Sequence, residues 1–508
     1  MMRFSPNPNR AHLIRWFEWG DEAFKQAQRQ DKPLMLYLAA FWCGVCQRFE
    51  ETALSSDENI ALLNAYFISV KVENAQRPDI DVRYSQNGWP TIAFLTPEGE
   101  QMASVNYLPA EEFGTTLAKI HLFYRDRKEE LKEAIAKAYR ESHPKTAHGE
   151  ANRAASPDAL AEIRRLVIGL ADKVHGGYGG SNKFPHPEAN EFLLDCYEST
   201  GDFRYLDHAL LTLDKMRQGN ICDEREGGFF RYSSKPDWSA PHREKLLSDQ
   251  AGILGNCLRL FAMTRRSTCR ETAEGLVDYL DTKLSAPSQA AFYGCQDYIQ
   301  LRNRERTLEP EPSNTAEEFF STKDDWVYTD ANAQTASAYL EAASVLGRPD
   351  CQERALKLLG FLLEHCRAED GGMAHYFDGA PQAPGLLMDQ VHMGLALLKA
   401  YEVTENSSYL ERAEELARYI VDRFKNAGGG YYDLCFSGPA LLRFRLTLLE
   451  QNGAAALFFL KIAGAAKKEE YRNSALWALS AFTEDFGSYG IHAAIFGRSL
   501  ASYFRSHV

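Results

Sequence analysis

The feature that most constrains this chain is a repeated acidic residue followed by an amide. It occurs as Asp249-Gln250, Asp330 with Asn332, Asp389-Gln390 and Glu450-Gln451, and a fifth copy opens with Glu188 and Asn190. The acidic positions step by 61, 81, 59 and 61 residues, and the long step holds a polar insertion, Leu301 to Asp325. Each copy opens a segment that is apolar almost all round, such as Met393-Gly-Leu-Ala-Leu-Leu-Lys-Ala-Tyr. These alternate with charged, one-sided segments such as Tyr409-Leu-Glu-Arg-Ala-Glu-Glu-Leu-Ala-Arg-Tyr-Ile. Helices apolar all round belong inside and one-sided helices outside. Twelve helix-length segments start near residues 157, 187, 203, 247, 268, 330, 349, 387, 407, 447, 468 and 490, and strands largely vanish. A gly-gly pair plus a large side chain separates several of them, at Gly177-Tyr178, Gly228-Phe229, Gly372-Met373 and Gly430-Tyr431. A period near sixty with two helices per unit means stacked helical hairpins, and tetratricopeptide arrays, at about 34 residues, do not fit. Six hairpins predict a closed (α/α)6 barrel over 157–508.

The N-terminal part obeys a different pattern. An apolar run from Leu36 ends in Phe41 and Trp42, and Cys43 and Cys46 follow with two residues between them. Helical spacing then takes over at Cys46, Phe49 and Ala53. A strand that delivers Cys-x-x-Cys onto the first turn of a helix is the thioredoxin arrangement. A thiol attacks a disulfide as its thiolate, which a helix N-terminus stabilises. Cys43 is therefore the expected nucleophile and Cys46 the resolving thiol, with Gly44 expected to admit a close backbone. Half a zinc site would need further ligands. The nearest other cysteine is Cys196, and no histidine lies between His12 and His121. Gly88-Trp89-Pro90-Thr91 precedes the apolar run Ile92 to Leu95, and Pro90 fits a cis-proline facing the dithiol. Trp42, Trp89 and Pro90 are the expected thiol-substrate groove.

The same segment reads as a complete small α/β domain. Helices are expected over 19–30, over 46–66 with a break near Ser55-Ser56-Asp57, from Arg77, and from Ala110; strands are expected over 33–40, 67–72, 92–95 and 102–105. This places the thioredoxin-like domain at 1–125, a charged helical linker at 126–156, and the barrel after it.

Composition narrows the function classes. A net charge of −13 disfavours nucleic acid and anionic membrane as partners. No apolar run reaches a membrane span, and no signal peptide is expected at the N-terminus. Ten cysteines scattered over 508 residues form no dense framework, so most are expected reduced and half-buried in a cytoplasmic protein. No cofactor and no metal are expected.

Within the barrel, polar residues gather at the starts of the inner helices and in the loops before them. The candidate site is His186, Arg231, His242, Glu244, Asp249, Trp326, Asp330, Asp389 and His392. Any one Asp there could be a helix cap. Convergence of five or six such ends on one mouth instead suggests a binding or catalytic cleft. Trp238, Trp326, Tyr328 and Phe229 would suit stacking on sugar rings, or could be packed loop residues.

Several longer motifs stand in order along the chain: Arg77-Pro78-Asp79-Ile80-Asp81, Gly88-Trp89-Pro90, Phe94-Leu95-Thr96-Pro97-Glu98-Gly99 and Gly176-Gly177-Tyr178-Gly179-Gly180. They continue with Lys183-Phe184-Pro185-His186-Pro187, Gly227-Gly228-Phe229-Phe230-Arg231-Tyr232-Ser233 and Pro241-His242-Arg243-Glu244-Lys245-Leu246. On these motifs the chain resembles the spermatogenesis-associated, thioredoxin-domain-containing proteins over nearly its whole length. The resemblance implies a thioredoxin-like domain joined to a six-hairpin barrel similar to those of N-acylglucosamine epimerases, cellobiose epimerases and some glycosidases. The family typically has a tryptophan between the cysteines and histidines after both; here stand Gly44, Val45 and Gln47. Thioredoxins carry a buried Asp six residues before the first Cys, where this chain has Tyr37.

Three functions compete. The first is dithiol–disulfide oxidoreductase chemistry, with a disulfide-bearing protein or a thioredoxin-type reductant as partner. The second is a sugar-active barrel, epimerising through bases such as His242 and His392 or hydrolysing through Glu244 and Asp330. The third is a noncatalytic protein whose barrel mouth binds a glycan or a protein.

Overall fold

In this computed structural model, the described residues are 3–128, 130, 131, 133, 155–286, 290–300, 319–482 and 486–505. The linker expected at 126–156 and the insertion at 301–325 lie largely outside them. The chain divides into two compact units: Met1–Gly149 with Tyr298–Ser321 and Phe436–Arg445, and Glu150–Asp297 with Thr322–Cys435 and Leu446–Val508. Among the described residues, no helix is long and apolar enough to cross a membrane.

The first unit is built on a five-stranded mixed sheet. Its strands are β1 (Trp16–Phe17), β2 (Leu34–Ala39), β3 (Ile68–Glu73), β4 (Thr91–Leu95) and β5 (Gln101–Val105), in the order β1-β3-β2-β4-β5. β3 runs parallel to β1 and β2, whereas β4 is antiparallel to both β2 and β5. Leu-Met-Leu-Tyr-Leu-Ala is continuously apolar because β2 is central and all six of its residues are buried. Helices α1 (Asp21–Gln30), α2 (Gly44–Glu51), α3 (Asp57–Tyr66), α4 (Pro78–Tyr84) and α5 (Ala110–Asp126) complete the unit. The break expected near Ser55 is a short 3-10 turn, Ala53–Ser55. Gly99, at φ 88°, closes the β4–β5 turn, and a Cβ there would sit 2.0 Å from that of Ala440. The Phe436–Arg445 segment is fixed in this unit by Arg83, which donates to the Phe444 carbonyl at 2.7 Å, and by Tyr84 Oη, which accepts from the Leu441 N–H at 3.1 Å.

Among the described residues, the second unit holds twelve α-helices in six hairpins. The outer helices are α6 (Pro157–Gly169), α8 (Phe203–Gln218), α10 (Ser267–Tyr279), α12 (Pro349–His365), α14 (Ser407–Phe424) and α16 (Glu469–Leu479). The inner ones are α7 (Pro187–Thr200), α9 (Leu247–Thr264), α11 (Thr329–Leu346), α13 (Leu387–Thr404), α15 (Leu449–Ala466) and α17 (Ala494–Arg505). Each inner helix packs beside the next, and α17 returns to α7, so the ring is closed. α14 buries only Ala413, Leu416, Ala417, Ile420 and Phe424, one stripe of its surface, whereas α15 buries residues all round. Ion pairs seal the seam. Arg498 on α17 reaches Glu188, Glu191 and Asp195 on α7 at 2.7, 3.3 and 3.2 Å, and Arg259 on α9 holds Glu191 and Asp195 at 2.9 and 2.7 Å.

The repeated amides have a structural task. Gln250 accepts from the Phe229 N–H at 2.8 Å and donates to its carbonyl at 2.7 Å. Asn332 does the same to Phe292 at 2.9 and 3.1 Å, and Gln390 to Met373 at 2.7 and 2.9 Å. In the fourth copy the clamp is Asn452 on Tyr431, at 2.7 and 2.9 Å, and not the Gln451 that the repeat pattern suggests. Each clamped residue is buried and also bridges to a neighbouring segment, Phe229 to Cys222, Phe292 to Ser285, Met373 to Arg367 and Tyr431 to Lys425, and the amide satisfies further backbone groups of that turn.

Two expectations need correction. Strands do not vanish after residue 157: short pairs such as Cys295–Gln300 beside Phe319–Asp324 punctuate the loops, and most are too short to leave a period-two signal. The last inner helix begins at Ala494, later than expected, because residues Phe486–Ala493 form 3-10 turns.

Candidate functional site

The dithiol lies at the start of α2. Cys43 is its N-cap residue, and the Cys46 N–H donates to Cys43 Sγ at 3.2 Å. The Cys43 thiol in turn lies 3.5 Å from the Trp89 carbonyl oxygen. Cys43 is 8% exposed and Cys46 2%, while Val45 between them is 48% exposed. Burial pushes the Cys46 thiol well up, reinforced by its hydrogen bond with Cys43. The nearly buried dithiol thus has an exposed rim at Gly44 and Val45. Gly44 does not serve the purpose expected of it, since a Cβ there would meet nothing within 4 Å.

The facing loop is held by groups that the sequence reading passed over. Trp89-Pro90 is a cis peptide, as expected. Asn106 donates to the carbonyls of Gln86, Gly88 and Pro90 at 3.0, 3.2 and 2.9 Å. Trp89 Nε1 donates to Asp81 at 2.8 Å, which gives the Asp of the Arg77–Asp81 stretch a local role. Trp42 meets Trp89 edge-on, with ring centroids 5.3 Å apart. Trp42, Trp89 and Cys43 are thus brought together, beside Pro90. A single Asn or Asp carries no pattern in a sequence, so nothing there marked Asn106.

The barrel candidates fall into separate groups. Arg231 lies 3.7 Å from Glu244, its N–H donates to the Glu244 carbonyl at 2.8 Å, and its charge also acts on Asp249. Burial raises the Asp249 carboxyl to about 6 and raises Glu244 as well. His242 is exposed and stacks on Tyr232 at 4.0 Å, and Tyr232 stacks on Phe184 at 4.7 Å. His186 is the residue before α7, at φ 43°, and burial followed by the charge of His492 lowers its imidazole to about 4.

Asp330, Asp389 and His392 make the other group, with His375 added by the structure. His375 Nδ1 is 3.0 Å from an Asp389 carboxylate oxygen, and donor atoms of Asp330, His375 and Asp389 lie within 4.8 Å of one another. They could share a proton or a cation, and the His375–Asp389 hydrogen bond accounts for two of the three. Burial raises Asp389 to about 6 and lowers His392, which faces the charges of Asp330 and Glu188. His375 sits on the strand Ala374–Phe377, directly after the clamped Met373, and His492 pairs with Glu450 at 2.7 Å. Their only sequence signal was proximity to the repeat. Of the aromatics suggested for stacking, Trp238 and Phe229 are buried loop residues, and Tyr328 is buried on the strand Val327–Tyr328. Trp326 stays half-buried, 5.8 Å from Tyr376. No disulfide links any of the ten cysteines, and six of the eight outside the dithiol are buried rather than half-buried.

Comparison with known proteins fits this two-part architecture. A DsbH-type thioredoxin family model, described as a protein of unknown function, DUF255, matches residues 8–142, and the N-acylglucosamine 2-epimerase model matches residues 321–433. An uncharacterized protein of Caenorhabditis elegans is 27% identical over 459 residues, covering 80% of this chain and 62% of the relative. Spermatogenesis-associated protein 20 of Homo sapiens is 31% identical over 305 residues, covering 56% of this chain and 39% of the relative. The chain therefore spans less than two thirds of either relative's length. A sugar epimerase from a ruminal bacterium shares the barrel fold, with a TM-score of 0.54 at 14% identity over 69% of this chain and 99% of that one. The resemblance to the spermatogenesis-associated, thioredoxin-domain-containing family thus holds on both sides of the chain, with a DsbH-type thioredoxin-like domain followed by an N-acylglucosamine 2-epimerase-like one.

Proposed function

We propose that the N-terminal domain carries out thiol–disulfide exchange, with Cys43 attacking and Cys46 resolving. The observation that carries this reading is the placement of Cys43 Sγ at the first turn of α2, where a backbone N–H points at the sulfur. Trp42, Trp89 and Pro90 form the groove for the incoming disulfide. The Trp89 carbonyl, 3.5 Å from Cys43, lies where an extended substrate strand would pass. A disulfide-bearing protein is the substrate class, and a thioredoxin-type dithiol restores the reduced form in the cytoplasm. The test is equilibration in glutathione buffers, followed by alkylation and mass analysis. A Cys43–Cys46 disulfide that forms and reduces reversibly supports the reading; two thiols that stay unlinked across the whole range refute it.

A second reading applies to the barrel. The His375–Asp389 pair, with Asp330 and His392 close by and Trp326 half-buried nearby, supplies acid, base and stacking groups of the kind a sugar needs. We infer a carbohydrate-binding lumen there, with proton transfer as its chemistry. Thermal stabilisation by members of a mono- and disaccharide panel, lost in Asp389→Asn, is the expected result. No shift with any sugar refutes it.

A further inference from the structure

A buried charge pair lies behind the dithiol. Glu50 is on α2, one turn beyond Cys46, and is 4% exposed. Residues four apart on a helix share a face, so its carboxylate lies on the Cys46 side, and its charge acts on the Cys46 thiol. Lys71 on β3 pairs with Glu50 Oε1, and both side chains are under one tenth exposed. The Ser5 N–H donates to Glu50 Oε2 at 2.6 Å, and Lys71 also donates to the Arg3 carbonyl while lying 4.1 Å above the Phe4 ring. Residues 3–5 thus cover the pair. Tyr37 on β2 joins it to the dithiol, its hydroxyl lying 3.3 Å from Glu50 Oε1 and 3.1 Å from the Cys46 carbonyl oxygen.

A buried ion pair is costly to assemble, and apolar residues of the same volume often serve stability as well. Its position suggests another use. Cys46 is buried, carries a proton, and must lose it in order to attack. The groups facing Glu50 are Lys71 from β3, Tyr37 from β2, Cys46 from its own helix, and the Ser5 N–H. Among these, the Cys46 thiol is the group whose proton must move in exchange chemistry.

We propose that Glu50 is the proton acceptor for Cys46 in the resolving step, positioned by Lys71, Tyr37 and the Ser5 N–H. This rests on the dithiol reading above and deepens it. In the mixed disulfide, the Cys46 proton passes to the Glu50 carboxylate, and Cys46 sulfur attacks Cys43 Sγ. The Cys43–Cys46 bond forms as the bond from Cys43 to the substrate sulfur breaks. The substrate sulfur leaves with the electron pair as a thiolate, and the proton on Glu50 returns to it or to solvent. Two electrons move from the protein dithiol to the substrate disulfide, so one turnover of reduced protein needs no other reductant.

An aromatic disulfide that releases a coloured thiolate separates the steps. The first release reports attack by Cys43 and the second reports resolution by Cys46. Glu50→Gln keeps the shape and most hydrogen bonds but removes the base. The expected result is a second phase slowed roughly tenfold or more near neutral pH, recovering as pH rises and hydroxide replaces the carboxylate. The first phase should change far less. Glu50→Gln/Lys71→Met, which leaves no lone buried charge, should show the same slow phase if the single variant folds poorly. An unchanged second phase overturns the proposal, as does a slow phase that no rise in pH restores. Absence of even the first phase in the wild-type protein overturns the dithiol reading itself.

Discussion

Asp389-Gln390 and Glu450-Gln451 look alike in the sequence, yet replacing the two glutamines by methionine should have opposite consequences. Gln390 is fully buried, accepts from the Met373 N–H at 2.7 Å and donates to the carbonyls of Met373 and Leu386 at 2.9 and 3.0 Å. Gln390→Met keeps the volume but leaves a buried N–H without an acceptor. An orphaned buried donor costs about 1–3 kcal/mol, and each carbonyl that loses its donor adds about 1 kcal/mol or less. Apolar burial of the new side chain returns about 1 kcal/mol. The net loss is therefore about 2–3 kcal/mol. Gln451 Oε1 is buried and has no hydrogen-bond partner, so Gln451→Met removes an unsatisfied atom. That change should be neutral or stabilise by about 1 kcal/mol. Urea unfolding compares the two, and hydrogen exchange at the Met373 amide localises the effect, with protection falling roughly 30- to 150-fold in Gln390→Met. Equal effects from the two substitutions, or an unchanged Met373 amide, would refute the clamp as a source of barrel stability.

Other perturbations follow from the same geometry. The Asp389 carboxyl is raised from 3.8 to about 6 by burial, so the folded protein holds a proton that the unfolded chain releases between about pH 4 and 6. Stability should fall as pH rises through that window and level off above it. Asp389→Asn should flatten the slope by about 3 kcal/mol at most, with Asp249 supplying the remainder of it. Arg498→Met should cost about 2 kcal/mol in thermal or urea unfolding. That is less than the 3–5 kcal/mol of an isolated buried pair, because Arg259 still neutralises Glu191 and Asp195. Asn106→Ala should slow disulfide exchange roughly three- to tenfold, by loosening the loop that faces Cys43, while Cys43 alkylation stays fast.

Much of the architecture was legible because periodicity survives in sequence. The alternation of all-round and one-sided apolar segments predicted twelve helices that begin within a few residues of their observed starts. The Cys-x-x-Cys after a buried strand placed Cys43 at the α2 N-terminus. The acid–amide repeat had the right period, but its two members do different things. The amide clamps a loop backbone, and one-residue shifts such as Gln451 to Asn452 are invisible until the hydrogen bonds are seen. Site residues outside the repeat were harder. His375 owes its place to the loop that Gln390 pins, Asn106 to a strand end, and Glu50 to a helical register in which, beside Glu51, it looks solvent-facing. Two-residue strands and the free space around Gly44 depend on tertiary packing, which local pattern does not encode.

Trapping is the most direct test of the central claim. Cys46→Ser leaves Cys43 able to attack and nothing to resolve the product. In cell extract it should accumulate as mixed disulfides that a reductant releases and that Cys43→Ser does not form. Recovery of such adducts through Cys43 is the predicted result. A folded Cys46→Ser protein whose Cys43 alkylates readily, yet which captures nothing beyond the Cys43→Ser control, would contradict the thiol-exchange account.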